Sequence, residues 1–146
     1  MAEGSRVVAH RTKTSLEAAI CKEMEQQGLA HGHRILHYRV RMKSGKAAKY
    51  EPAIVVHRGP ILFLVEPRVS AAPVERAKQF LEQHSPEIVF VAVAPKRVAD
   101  RLPPESYDEL YEDTQVPRLV QRIREQDPHG VVGVFPKRRD PVTGPS

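Results

Sequence analysis

The sequence predicts a three-layer α/β domain in which helices cover both faces of a mixed central sheet, and three observations carry that expectation. Two apolar runs, Ile61-Leu62-Phe63-Leu64-Val65 and Ile88-Val89-Phe90-Val91-Ala92-Val93, lack polar alternation, so the strands they form are covered on both faces. Between them Val74, Ala77, Phe80, Leu81 and His84 fall at helical spacing after Pro73, which makes strand, helix, strand a right-handed crossover of parallel strands. The run Glu51 to Val56 meets Ile61 to Glu66 across His57-Arg58-Gly59-Pro60, an antiparallel hairpin with glycine and proline as turn formers. With one helix and one strand ahead of this hairpin, the core order is α-β-β-β-α-β, followed by an added C-terminal helix and a short strand.

Residues 1–13 have no periodicity and are expected to form a flexible basic arm carrying Arg6, Arg11 and Lys13. The first helix starts at Thr14 or Ser15, either of which can cap it, and stops at Gly28. Its apolar stripe is Leu16, Ala19, Ile20 and Met24; Glu17 lies beside that stripe in the first turn, where an acid complements the helix dipole. From Ile35 to Met42 the pattern alternates: Leu36, Tyr38, Val40 and Met42 form a packing face, with His37, Arg39 and Arg41 opposite. Lys43 to Lys49 reads as a basic loop. Later, Lys96 to Leu102 forms a short helix ended by Pro103-Pro104, and Val116 to Gln126 a longer one with the stripe Val116, Leu119, Val120 and Ile123. Asp127-Pro128-His129-Gly130 breaks that helix, Val131 to Phe135 is a last strand, and residues 136–146 read as a disordered basic, proline-rich tail. Residues 14–135 are thus expected to form a single domain.

A chain of 146 residues with a formal charge of +5 can bury an ordinary core, and its single cysteine excludes an internal disulfide. There is no apolar run of membrane-spanning length and no signal-like N-terminus, so a cytoplasmic protein without a membrane partner is expected. The charge is unevenly placed. Leu29 to Arg68 carries eight Lys/Arg against two acids, whereas Pro103 to Asp113 carries five acids and no base. The first segment suits a polyanion, and Tyr107 to Asp113 suits a protein partner; solvated faces account for both equally well. His31, His33 and His37 alternate along an extended segment, a spacing that invites zinc, but no cysteine lies near them in the chain, and surface histidines on a basic face explain them.

The buried strand Ile61 to Val65 ends at Glu66, which period-two geometry places on one face with Leu62, Leu64 and Arg68. An acid on the first helix, a proline on the second strand and an acid-x-base triplet closing the third resemble the PD-(D/E)XK, or restriction-endonuclease-like, superfamily over Ser15 to about Val93. The resemblance implies a nuclease fold whose carboxylates hold magnesium or manganese while a neighbouring cation assists water in phosphodiester hydrolysis. By that resemblance the catalytic positions are Glu17, Glu66 and Arg68, with Glu51 the replacement acid. The motif is degenerate: Ala53 stands where the aspartate belongs, and Arg68 where the lysine belongs. An alanine methyl cannot bind a metal, and arginine is a very poor proton acceptor. Glu51 shares the face of Ala53, displaced by about 7 Å along the strand.

Two functions of the site therefore stand side by side. One is a pseudo-nuclease without cofactor, a nucleic-acid-binding module, for DNA ahead of RNA, or a complex-forming one, using Arg39, Arg41, Lys43, Lys46, Lys49 and Arg58. The other is a nuclease in which Glu51 and Glu66, with Glu17, hold magnesium or manganese. A third reading makes the chain a subunit docking through Tyr107 to Asp113, and a homodimer is compatible with all three.

Overall fold

The computed structural model describes residues 12–126 and 138–139. Helix α1 spans Ser15–Gln26; the Thr14 hydroxyl caps it by accepting the Glu17 N–H at 3.1 Å, and Gly28, with φ +72°, turns the chain away from its C-terminus. The strand expected over Ile35 to Met42 is shorter, and it does not join the main sheet. It forms β1 (Tyr38–Arg41), which pairs antiparallel with β2 (Ala47–Tyr50) in a separate two-stranded ribbon. Most of the expected basic loop is therefore strand. Gly45, at φ +89°, makes the turn, and the Met42 N–H donates to Lys46 O.

The strand expected from Glu51 begins only at Ile54. Pro52 has no N–H to give a ladder, and the chain bends there from the ribbon into the main sheet as β3 (Ile54–Arg58). A two-residue turn at Gly59-Pro60 leads to β4 (Ile61–Pro67), antiparallel to β3 with Ile54 opposite Val65. Helix α2 (Glu75–Gln83) then crosses to β5 (Ile88–Ala94), which runs parallel to β4. The short α3 (Lys96–Ala99) precedes β6 (Glu109–Glu112), and α4 (Val116–Arg124) follows it. The mixed sheet has the order β3-β4-β5-β6-β7, where β7 is Arg138–Arg139, parallel to β6. Those two arginines correct the expectation of a tail without structure. The rest of that tail, the strand expected at 131–135 and residues 1–11 of the N-terminal arm lie outside the described residues. Beside β3 the segment before the ribbon makes only a single bridge, Gly32 with Val55.

Period-two alternation sorts the sheet into two cores. Ile54, Val56, Phe63, Val65, Val91 and Val93 face α1 and α4, meeting Ile20, Met24, Leu119 and Ile123. Val55, Leu64, Phe90 and Ala92 face α2, α3 and the ribbon. On that second face Tyr38, Tyr50, Phe80 and Phe90 form an aromatic cluster, with Tyr50 and Phe80 ring centres 4.9 Å apart. No helix among the described residues is long and apolar enough to cross a membrane.

The acidic segment Tyr107 to Asp113 is partly internal, with Asp108 and Glu112 half-buried and Asp113 exposed. Tyr107, Glu109, Leu110 and Tyr111 are buried. Glu109 accepts from Arg122 Nη2 at 2.6 Å and from the Tyr111 hydroxyl at 2.9 Å, and Asp108 accepts the Phe90 N–H at 2.8 Å. Of the five acids only Glu109, on the inner strand β6, is buried with its partners inside the domain; Asp108 and Glu112 are half-buried, and Glu105 and Asp113 are exposed.

Candidate functional site

Glu66 ends β4 at the mouth of a cleft of about 420 Å³ between the ribbon, α2 and the sheet, lined by Tyr50, Arg68, Arg76, Phe80 and Ser106 among others. One carboxylate oxygen, Oε2, accepts from the Tyr50 hydroxyl and from the Ala53 N–H at 3.0 Å. Burial pushes the Glu66 carboxyl up to about 7, against the opposing pull of those two donors and of Arg34. Arg68 shares the cleft, as its face of β4 requires, with Nη2 donating to Pro73 O at 2.8 Å. Burial lowers its affinity for a proton and Glu66 restores part of it. The acid and the cation of the triplet are thus brought together.

The remaining carboxylates are not brought to them. Glu17 is fully buried, and Arg34 clamps both its oxygens, at 2.9 and 2.7 Å; His33 Nδ1 lies 2.8 Å from Oε2, and the Lys13 N–H donates to Oε1 at 3.1 Å. Burial alone would raise this carboxyl, but the Arg34, Lys13 and His33 hydrogen bonds hold it below its ordinary value. Arg34 adopts φ +51°, a backbone conformation rare for a side-chain-bearing residue, to make this fork. Glu17 is therefore the anchor of a buried ion pair. Glu51 is exposed beside Lys49 at 3.7 Å and does not line the cleft, so it does not occupy the place of the missing aspartate. Among the described residues Glu17, Glu51 and Glu66 form no group with metal-binding spacing.

A different set does. Cys21 on α1, His31 and His33 each present a ligand atom within 4.8 Å of the others. His37, one of the histidines alternating in the sequence, is exposed and outside this group. No cysteine lies near these histidines along the chain, but the turn at Gly28 carries their segment back to α1, where Cys21 meets them. Burial, with Glu25 and Glu17, pushes the Cys21 thiol up to about 11, the opposite of an activated nucleophile.

The basic residues divide in two. Arg39, Arg41, Lys43, Lys46 and Lys49 are all exposed on the ribbon and its turn, with Arg39 opposite Lys49. Side chains of α2 hold the ribbon by its backbone: Gln83 donates to Arg41 O and accepts from Arg41 N–H, at 2.8 and 2.9 Å. Glu75 accepts the Lys43 N–H at 3.1 Å and Arg76 donates to Lys49 O at 3.0 Å. The ribbon's own cations stay directed away from the domain. Arg58 belongs elsewhere. Its Nη2 donates to the carbonyls of Arg124 and Gln126 at 2.7 and 3.2 Å, closing the C-terminus of α4, so it leaves the expected basic face.

Comparison of the chain with protein-family models, with curated proteins and with solved structures finds no match to any of them.

Proposed function

We propose that this chain is a restriction-endonuclease-like domain that binds nucleic acid through the ribbon β1-β2 and does not hydrolyse it. The observation that carries the reading is the placement of Arg39, Arg41, Lys43, Lys46 and Lys49 together on one ribbon whose backbone is held by α2. Arg39 directly opposite Lys49 costs stability, because like charges face each other across the strands, and a polyanion would relieve that repulsion. A two-stranded ribbon fits the B-DNA major groove, about 12 Å wide, whereas the deep, narrow major groove of duplex RNA does not admit it. Duplex DNA is accordingly the favoured ligand. Loss of hydrolysis follows from the residues at the motif: Ala53 offers no ligand, Glu17 is engaged by Arg34, and Arg68 does not serve as a base. The nuclease fold is supported by the order helix, antiparallel pair, helix, parallel strand, with an acid-x-base triplet at the end of β4.

The test is fluorescence anisotropy with duplex DNA and duplex RNA over a salt series, beside a cleavage assay with magnesium or manganese. Expected are salt-sensitive binding to DNA, loss of that binding in Arg39→Glu/Arg41→Glu, and no cleavage. Unchanged binding in the charge-reversed protein sinks the interface. Cleavage lost with chelator and in Glu66→Gln overturns the non-hydrolytic part.

A further inference from the structure

We propose that Cys21, His31 and His33 form a zinc site joining α1 to the segment that follows it. The cysteine Sγ lies 3.2 Å from His31 Nε2, and the three ligand atoms fall within 4.8 Å of one another. Zinc bonds of 2.0–2.1 Å to nitrogen and 2.3 Å to sulfur in a tetrahedron put neighbouring ligand atoms roughly 3.3–3.6 Å apart, so small side-chain movements suffice to close on an ion. His31 already turns Nε2 to the cysteine sulfur. His31 Nδ1 lies 2.9 Å from Leu29 O, which can only accept, so the ring proton is on Nδ1 and the lone pair on Nε2. His33 Nδ1 lies 2.8 Å from the Glu17 carboxylate, and in the neutral ring the same logic puts the lone pair on Nε2. A carbonyl behind one histidine and a carboxylate behind the other is the outer shell that metal-bound histidines use to fix ring orientation and raise basicity.

One thiolate and two imidazoles suit zinc in preference to magnesium or manganese, which require oxygen ligands. On binding, the ion takes the thiolate and the thiol proton is released to solvent. The described residues supply three ligands, which leaves a fourth position open to water. This site is independent of the DNA-binding reading, because none of its residues lies on the ribbon.

The test is titration of the reduced full-length protein with cobalt(II), followed by its displacement with zinc. Cys21 is the chain's only cysteine, so a sulfur-to-cobalt charge-transfer band can come from this site alone. Expected are that band, tetrahedral ligand-field absorption saturating at one equivalent, loss of both when zinc is added, and affinity at least 10-fold weaker in His31→Ala and in His33→Ala. Circular dichroism checks that each variant is folded, and the unsubstituted protein decides the matter if one is not. No charge-transfer band with the folded wild-type chain overturns the site. So does unchanged affinity in both folded histidine variants.

Discussion

At the scale of single residues, Glu17 and Glu66 have opposite electrostatic fates. Glu17 is held below its ordinary pKa because Arg34, Lys13 N–H and His33 outweigh its burial. A depressed carboxyl contributes stability above its unfolded pKa, and that contribution is lost as pH falls through the lower folded value. Glu17→Gln leaves Arg34 with a broken buried pair, and an expected cost of about 3 kcal/mol is measurable as a shift in the urea midpoint. Glu66 behaves the other way. With its carboxyl pushed up to about 7, the native state keeps a proton that the unfolded chain gives up near the ordinary carboxyl value of 4.5, so stability declines with pH across that window and then levels off. Glu66→Gln is expected to flatten this decline, which unfolding curves at pH 5, 6, 7 and 8 would reveal, each value being about one step along the window. Tyr50→Phe removes a donor to the ionised form, and the Glu66 pKa should move further upward in a carbon-13 carboxyl titration.

At the scale of elements, the proposed binding role sets the ribbon's charge against its stability. Replacing Arg39 with threonine relieves its repulsion with Lys49, and the expected outcome is a stabilisation of about 0.2–1 kcal/mol together with weaker DNA binding. A melting curve and a binding isotherm on the same sample test both halves. Arg58→Ala should do the reverse, costing about 1–2 kcal/mol by exposing the α4 carbonyls and leaving DNA affinity unchanged. Helix α1 was legible from its cap at Thr14 and its stop at Gly28, and β4 and β5 from their uninterrupted apolar runs. Strand β2 was not. Ala47-Ala48-Lys49 has weak strand propensity and follows a charged turn, and it becomes a strand because Ala48 and Tyr50 face the α2 side while Lys49 faces solvent.

At the scale of the whole molecule, the two charged segments of the sequence are placed differently. The basic side chains of the ribbon are all exposed, whereas in the acidic segment Glu109 is buried against Arg122 and half-buried Asp108 accepts from the β5 backbone, leaving Glu105 and Asp113 exposed. Among the described residues five cationic side chains are thus gathered on the ribbon, while the acids of 105–113 are divided between interior and surface. Five phosphate contacts from that ribbon predict a slope of about −4.5 for log K against log salt on duplex DNA, and each cation removed should reduce its magnitude by about 0.9.

The sequence by itself determined the layered α/β class, the crossover from β4 to β5, the shared face of Glu66 and Arg68, and the absence of a ligand at Ala53. These follow from periodicity and residue chemistry, which act over a few neighbouring positions. Tertiary structure decided that Arg34 would take Glu17, that Arg58 would close a helix 66 residues away, and that Cys21 would meet His31 and His33. Those outcomes depend on which buried groups find a partner once the chain has closed on itself, and a polar side chain's partner is set by distance in space, which spacing along the chain does not encode.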